Sequence, residues 1–114
     1  MADTIRRILL VDDEIEFANT LKRHLKREGF KTDIAHDGIT ACQIIEKDFG
    51  GTPIKTIDLV ITDVIMPNMG GFELLLWIHE NYSEISVILL TGFGDNDTAF
   101  ETMRPGMDAF GKKP

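Results

Sequence analysis

Short apolar runs alternate along this chain with apolar positions at helical spacing. Ile8-Leu9-Leu10-Val11 is a continuous apolar run, the mark of a strand covered on both faces. From Glu14 to Glu28, Ile15, Ala18, Leu21 and Leu25 recur at helical spacing, and Gly29 stands where a helix stops. Lys31 to Ala35 predicts a second strand, and the turn His36-Asp37-Gly38 leads into a helix through Cys42, Ile44 and Ile45. Asp48 to Thr56 holds Gly50-Gly51-Thr52-Pro53 and reads as a flexible loop. Asp58 to Thr62 predicts a third strand, Phe72 to about Asn81 a helix, and Val87 to Leu90 a fourth strand. A further helix is expected over Thr98 to Arg104 and a short fifth strand over Asp108 to Gly111.

Strands alternating with helices at this spacing imply βαβ units, hence an α/β doubly wound parallel sheet with helices on both faces. In such folds a site forms beyond the carboxyl ends of the strands, where strand order reverses. The polar residues at those ends are therefore the candidates. Strand one ends in Asp12-Asp13, strand three in Asp63, strand four in Thr91, and strand five runs into Lys112-Lys113-Pro114.

Composition narrows the picture. With 114 residues, 43% hydrophobic and 27% charged, the chain is one globular domain's worth. No signal peptide or membrane-spanning run is visible, so no membrane association is expected. The lone cysteine, Cys42, excludes an internal disulfide and fits a reducing, cytoplasmic setting. A net charge of −7 argues against nucleic acid contacts by this domain itself. Its basic cluster, Lys22, Arg23, Lys26 and Arg27, reads as one solvated helix face.

The carboxylates carry the chemistry. Two unit charges about 4 Å apart repel by roughly 4 kcal/mol at an effective dielectric near 20, so three converging acids need cations. A lysine supplies one charge and a divalent ion the rest. Mg²⁺ suits such a site, because it takes one or two carboxylates, keeps waters and accepts phosphate oxygens. A carboxylate nucleophile beside it would give an aspartyl-phosphate. Neither Cys42 nor the histidines His24, His36 and His79 offer a rival constellation.

At these residues the chain resembles the receiver domains of two-component response regulators. The resemblance rests on Leu9-Leu10-Val11-Asp12-Asp13-Glu14, Asp58 through Met66-Pro67, Leu90-Thr91-Gly92 and Phe110-Gly111-Lys112-Lys113-Pro114, and runs from about Ile5 to the last residue. It implies a flavodoxin-like five-stranded sheet in the order 2-1-3-4-5. It also implies Asp63 as phosphoacceptor, with Asp13, Asp63 and the backbone carbonyl of Ile65 holding Mg²⁺ and Asp12 holding the metal's waters. Thr91 would donate its hydroxyl to the phosphoryl group, Lys113 would pair with a phosphoryl oxygen, and Phe110 would be the switch aromatic that moves with Thr91. Adjacent residues of an extended segment point to opposite sides, so only one of Lys112 and Lys113 can face the site. Pro114 restrains Lys113 in particular. The implied partner is a sensor histidine kinase or a histidine phosphotransfer protein. The implied activity is a signalling switch with self-catalysed phosphorylation and dephosphorylation, not a metabolic enzyme. A haloacid-dehalogenase-like phosphatase is the rival, but it needs a second acid two residues past the nucleophile, where Ile65 stands. A purely structural receiver-like module is the other rival, and it has no physical need for the acidic cluster.

The remaining features are weaker. Gly70-Gly71 resembles no phosphate cradle, and Met66 and Met69 populate the loop after Asp63 without an evident role. Leu74, Leu75 and Ile78 supply the buried face of their helix. Leu76 and Trp77 beside them suit either a partner surface or packing against the loop around Phe49. Receivers continue past the Lys-Pro step into a fifth helix, whereas this sequence stops at Pro114, so 1–114 reads as a receiver truncated at its C-terminal end. That is expected to bare Val87, Leu89 and part of the third strand. A few hundred Å² of apolar surface, at ~25 cal/mol per Å², would favour a homo-oligomer joined through that face.

Overall fold

The computed structural model of the chain describes residues 7–51, 57–66, 68–91 and 109–112. Strands β1 (Arg7–Val11), β2 (Lys31–Ala35), β3 (Leu59–Asp63) and β4 (Ser86–Thr91) alternate with helices α1 (Ile15–Arg27), α2 (Gly38–Gly51) and α3 (Gly71–Asn81). β1 pairs with β2 on one side and β3 on the other, β3 pairs with β4, and every pairing is parallel. A short strand β5 (Ala109–Lys112) runs parallel beside β4, giving the order β2-β1-β3-β4-β5. The expected helix over Thr98 to Arg104 lies outside the described residues.

Side-chain alternation divides the core between the two faces of the sheet. Leu9, Val11, Val60, Val87 and Leu89 meet Ala41 and Ile45 of α2 and Leu74, Leu75 and Ile78 of α3, all buried. On the opposite face Ile8, Leu10 and Leu59 meet Leu21 and Leu25 of α1. The expectation that Val87 and Leu89 would be bared is therefore wrong. They are 1% and 0% exposed, on the face that α2 and α3 cover. The error was one of parity, because on a period-two strand the residues beside α1 are the alternate ones. Ile61, Ile88 and Leu90 are the half-buried residues there.

Helix α1 stops where the sequence predicts. Gly29 adopts φ 99°, the Phe30 N–H donates to the Leu25 carbonyl and the Gly29 N–H to that of Lys26, forming a Schellman closure. His24, Lys26 and Arg27 crowd its last turn, where a helix favours positive charge. Ile15, expected on the buried stripe, is 58% exposed, because the first turn lies at the sheet's carboxyl edge.

The predicted loop from Asp48 is also corrected. α2 continues to Gly51, despite the glycines, because Asp48 is held in place. Arg7 at the start of β1 bonds Asp48 through one guanidinium nitrogen and Asp33 of β2 through two others, at 2.9 and 3.2 Å. The Asp48 side chain is only 6% exposed, so this clamp ties the last turns of α2 to β1 and β2. Burial works against the Arg7 charge, but the Asp33 hydrogen bond and the charges of Asp48 and Asp33 outweigh it and leave its pKa raised. Residues 52–56 lie outside the described residues. Trp77 is half-buried against the core with its ring tilted on Tyr82, centroids 5.4 Å apart, so of the Leu76-Trp77 pair only Leu76 is largely exposed.

Candidate functional site at the carboxyl edge of the sheet

Parallel strands deliver their last residues to one edge, and there the acids converge. Asp12 follows β1, and its N–H donates to the Ala35 carbonyl at the end of β2. Asp12 Oδ1 accepts the Glu14 N–H at 2.8 Å, which turns the chain from β1 into α1 and leaves the neighbouring Asp13 exposed. The Asp12 carbonyl oxygen lies 3.0 Å from Nδ1 of the exposed His36. Asp63 closes β3, one residue later than the predicted strand end, and is buried, as is Asp12. One carboxylate oxygen each from Asp12, Asp13 and Asp63 lies within 4.8 Å of the others. The set is a hard, all-oxygen donor cluster, which fits Mg²⁺ and not a soft metal.

The backbone around Asp63 is fixed from two sides. The Val64 N–H donates to the Leu90 carbonyl of β4, and the Gly71 N–H to the Val64 carbonyl at 2.8 Å. A Cβ on Gly71 would lie 2.2 Å from the Asp63 carbonyl oxygen, so only glycine lets α3 start this close to the end of β3. Met66 is buried in the core, which corrects its reading as a mere loop filler. Gly70 donates to Glu73 Oε1 at 3.1 Å and opens α3.

The other candidates stand as follows. Thr91 ends β4, one residue past Leu90, the register partner of Asp63, so its backbone sits at the same edge. Lys112 is the register partner of Thr91 and Phe110 that of Leu89. The side chains of Thr91 and Phe110, and all of Lys113, lie outside the described residues. Ile65 occupies the loop two residues past Asp63, its side chain 65% exposed. His24, His36 and His79 are all exposed. Sequence reasoning missed the tight approach of Gly71 and the contact of His36. A glycine opening the helix after Asp63 was the only available signal for the first.

Comparison with known proteins gives the family. Residues 8–114 match the family model described as the response regulator receiver domain. The chain is 33% identical over 108 residues to regulatory protein VanRc of Enterococcus gallinarum, covering 95% of itself and 43% of that protein. It thus spans under half the length of this relative, as it does of other curated relatives. Among solved structures it is similar to a response regulator receiver domain protein from Clostridium thermocellum. The TM-score is 0.82 at 31% identity, covering 96% of this chain and 83% of that one. It is also similar to response regulator protein TrrA from Thermotoga maritima in complex with Mg²⁺-BeF. There the TM-score is 0.77 at 32% identity, covering 96% and 88%.

Proposed function

The chain belongs to the response regulator receiver domain family of two-component systems, whose members are phosphoacceptor signalling domains, and we propose that Asp63 is its phosphoacceptor. The observation that carries this reading is the gathering of the Asp12, Asp13 and Asp63 carboxylates within 4.8 Å at the sheet's carboxyl edge. Asp63 is buried, as Asp12 is, but of the three it alone lies within a strand, at an end braced by Gly71, which suits a nucleophile that must be aimed. Its carboxylate oxygen attacks the phosphorus of a phosphohistidine on a sensor histidine kinase or histidine phosphotransfer protein. The P–N bond breaks as the P–O bond forms, and the electron pair leaves with the imidazole. Asp13, Asp63 and the Ile65 carbonyl would hold Mg²⁺, with Asp12 holding its waters. When bound, the ion supplies positive charge to the phosphoryl oxygens. That TrrA was solved in complex with Mg²⁺-BeF supports Mg²⁺ as the ion. Thr91 donates its hydroxyl to one phosphoryl oxygen and the Lys113 ammonium pairs with another, while Phe110 follows Thr91 and carries the switch. Water later attacks the phosphorus, the bond to Asp63 breaks, and inorganic phosphate leaves, with the chain's own residues catalysing both steps.

We further take residues 1–114 to act as one receiver domain with the five-strand order, controlling an output by its change of state. Its net charge of −7 supports a role in control, without nucleic acid contacts of its own. A cytoplasmic location follows from the family's phosphodonors, and among the described residues no helix is long and apolar enough to cross a membrane. The test is direct. Acetyl phosphate with Mg²⁺ should add one phosphoryl group by intact mass, and Asp63→Asn should abolish it. Labelling that survives in the variant would remove Asp63 from the role.

A further inference from the structure

The loop after Asp63 rests on the turn that opens α2. Asp37 Oδ1 accepts the Thr40 N–H at 2.7 Å, and the Asn68 amide donates to Asp37 Oδ2 at 3.4 Å. A Cβ on Gly38 would lie 2.7 Å from both Cβ and the carbonyl oxygen of Met69, so Met69 fills the space a side chain at 38 would take. The Cys42 thiol, one turn along α2, lies 3.8 Å from the Met69 sulfur. Asn68 adopts φ 69°, a conformation that asparagine tolerates and that turns the loop onto this seat. At its other end the loop is tied by Gly71 to Val64. Ile65 stands between these anchors with its side chain in solvent, so its backbone is set by its neighbours and not by its own packing.

We propose that Gly38, with Asp37, is a positioning site for the acceptor loop, seating Met69 and Asn68 so that the Ile65 carbonyl is held toward the Asp13–Asp63 cluster. The inference rests on the Mg²⁺ site proposed above. Groups that orient metal ligands tune affinity even though they never touch the ion. Gly38 is not at positive φ, and alanine is the better helix former, so its own backbone gives no reason for glycine. The reason is Met69.

The test is Mg²⁺ binding without phosphodonor, read from the dependence of melting temperature on Mg²⁺ concentration. Gly38→Ala should weaken the apparent Mg²⁺ dissociation constant about tenfold, the lower end of outer-shell effects. The Mg²⁺ half-saturation of acetyl phosphate labelling should move by the same factor, while the rate at saturating Mg²⁺ is largely kept. Asn68→Gly suits the left-handed backbone and removes only the bond to Asp37, so it should weaken Mg²⁺ binding with the metal-free melting temperature retained. Wild-type Mg²⁺ affinity in both variants overturns the inference. So does a loss in Gly38→Ala that merely tracks a fallen metal-free melting temperature while Asn68→Gly binds normally. A wild-type protein that binds no Mg²⁺, or an Asp63→Asn variant that keeps its label, would instead sink the underlying function.

Discussion

At the residue scale, the thiol of Cys42 shows how burial sets reactivity. Desolvation, and secondarily the charge of Glu46, pushes it up to about 11 from 9.0. The thiolate fraction at neutral pH therefore falls about a hundredfold, but the more basic thiolate is the better nucleophile, which returns part of the loss. Iodoacetamide should alkylate the native protein about tenfold more slowly than the unfolded chain at the same pH. Equal rates would mean the thiol is not shielded. Gly71 is the sharper case. Gly71→Ala drives a methyl into the Asp63 carbonyl, and backbone cannot rotate away as a side chain can. A cost of about 3 kcal/mol in urea unfolding is expected, at the upper end of overpacking effects. Neutral behaviour would show that α3 shifts freely.

Among the elements, α2 is defined by its two ends. Its C-terminal turns hold because Asp48 is buried against Arg7. Arg7→Met strips the guanidinium from Asp48 and Asp33 together and should cost about 3 kcal/mol, the lower end for a broken buried pair given the part-exposed arginine. Asp48→Asn in that background should recover part of it, and a fully additive double variant would show that the pair is not coupled. At the N-terminal end, the Thr40 N–H, then its hydroxyl, then Asn68 hold the Asp37 carboxyl below its ordinary 3.8. A depressed carboxyl contributes stability that is fully present above the ordinary value and is lost as pH falls through the folded one. The Thr40 amide resonance should accordingly titrate with a midpoint below 3.8. A midpoint above that value would mean the cap is not formed in solution.

For the whole molecule, the Mg²⁺ site proposed above is one that the unfolded chain would lack, so adding Mg²⁺ should raise the melting temperature. Asp13→Ala should remove that rise, and an equal rise in the variant would put the metal elsewhere. The apolar residues to watch for self-association are Ile61, Ile88 and Leu90, half-buried on the face that α1 covers only in part. Val87 and Leu89, on the opposite face, are packed by α2 and α3 and have nothing left to offer a partner. Ile88→Lys should reduce any concentration-dependent mass seen by light scattering, and Val87→Lys should unfold the domain instead.

The elements, and the edge where the acids stand, were legible from the order of residues alone. Runs such as Ile8 to Val11 and helical spacing such as Ala18, Leu21 and Leu25 report local burial, and in a parallel sheet strand ends share an edge by topology. Asp12, Asp13 and Asp63 were therefore legible as neighbours without any coordinates. Whatever depends on contacts between distant segments was settled by the packed fold. It chose which alternate residues of β4 face which helices, kept α2 going past Asp48 through a partner on β1, and buried Met66. It also made Gly38 and Gly71 necessary. The need for a missing Cβ arises from the atom standing opposite, Met69 in one case and the Asp63 carbonyl in the other, and no local pattern encodes that atom.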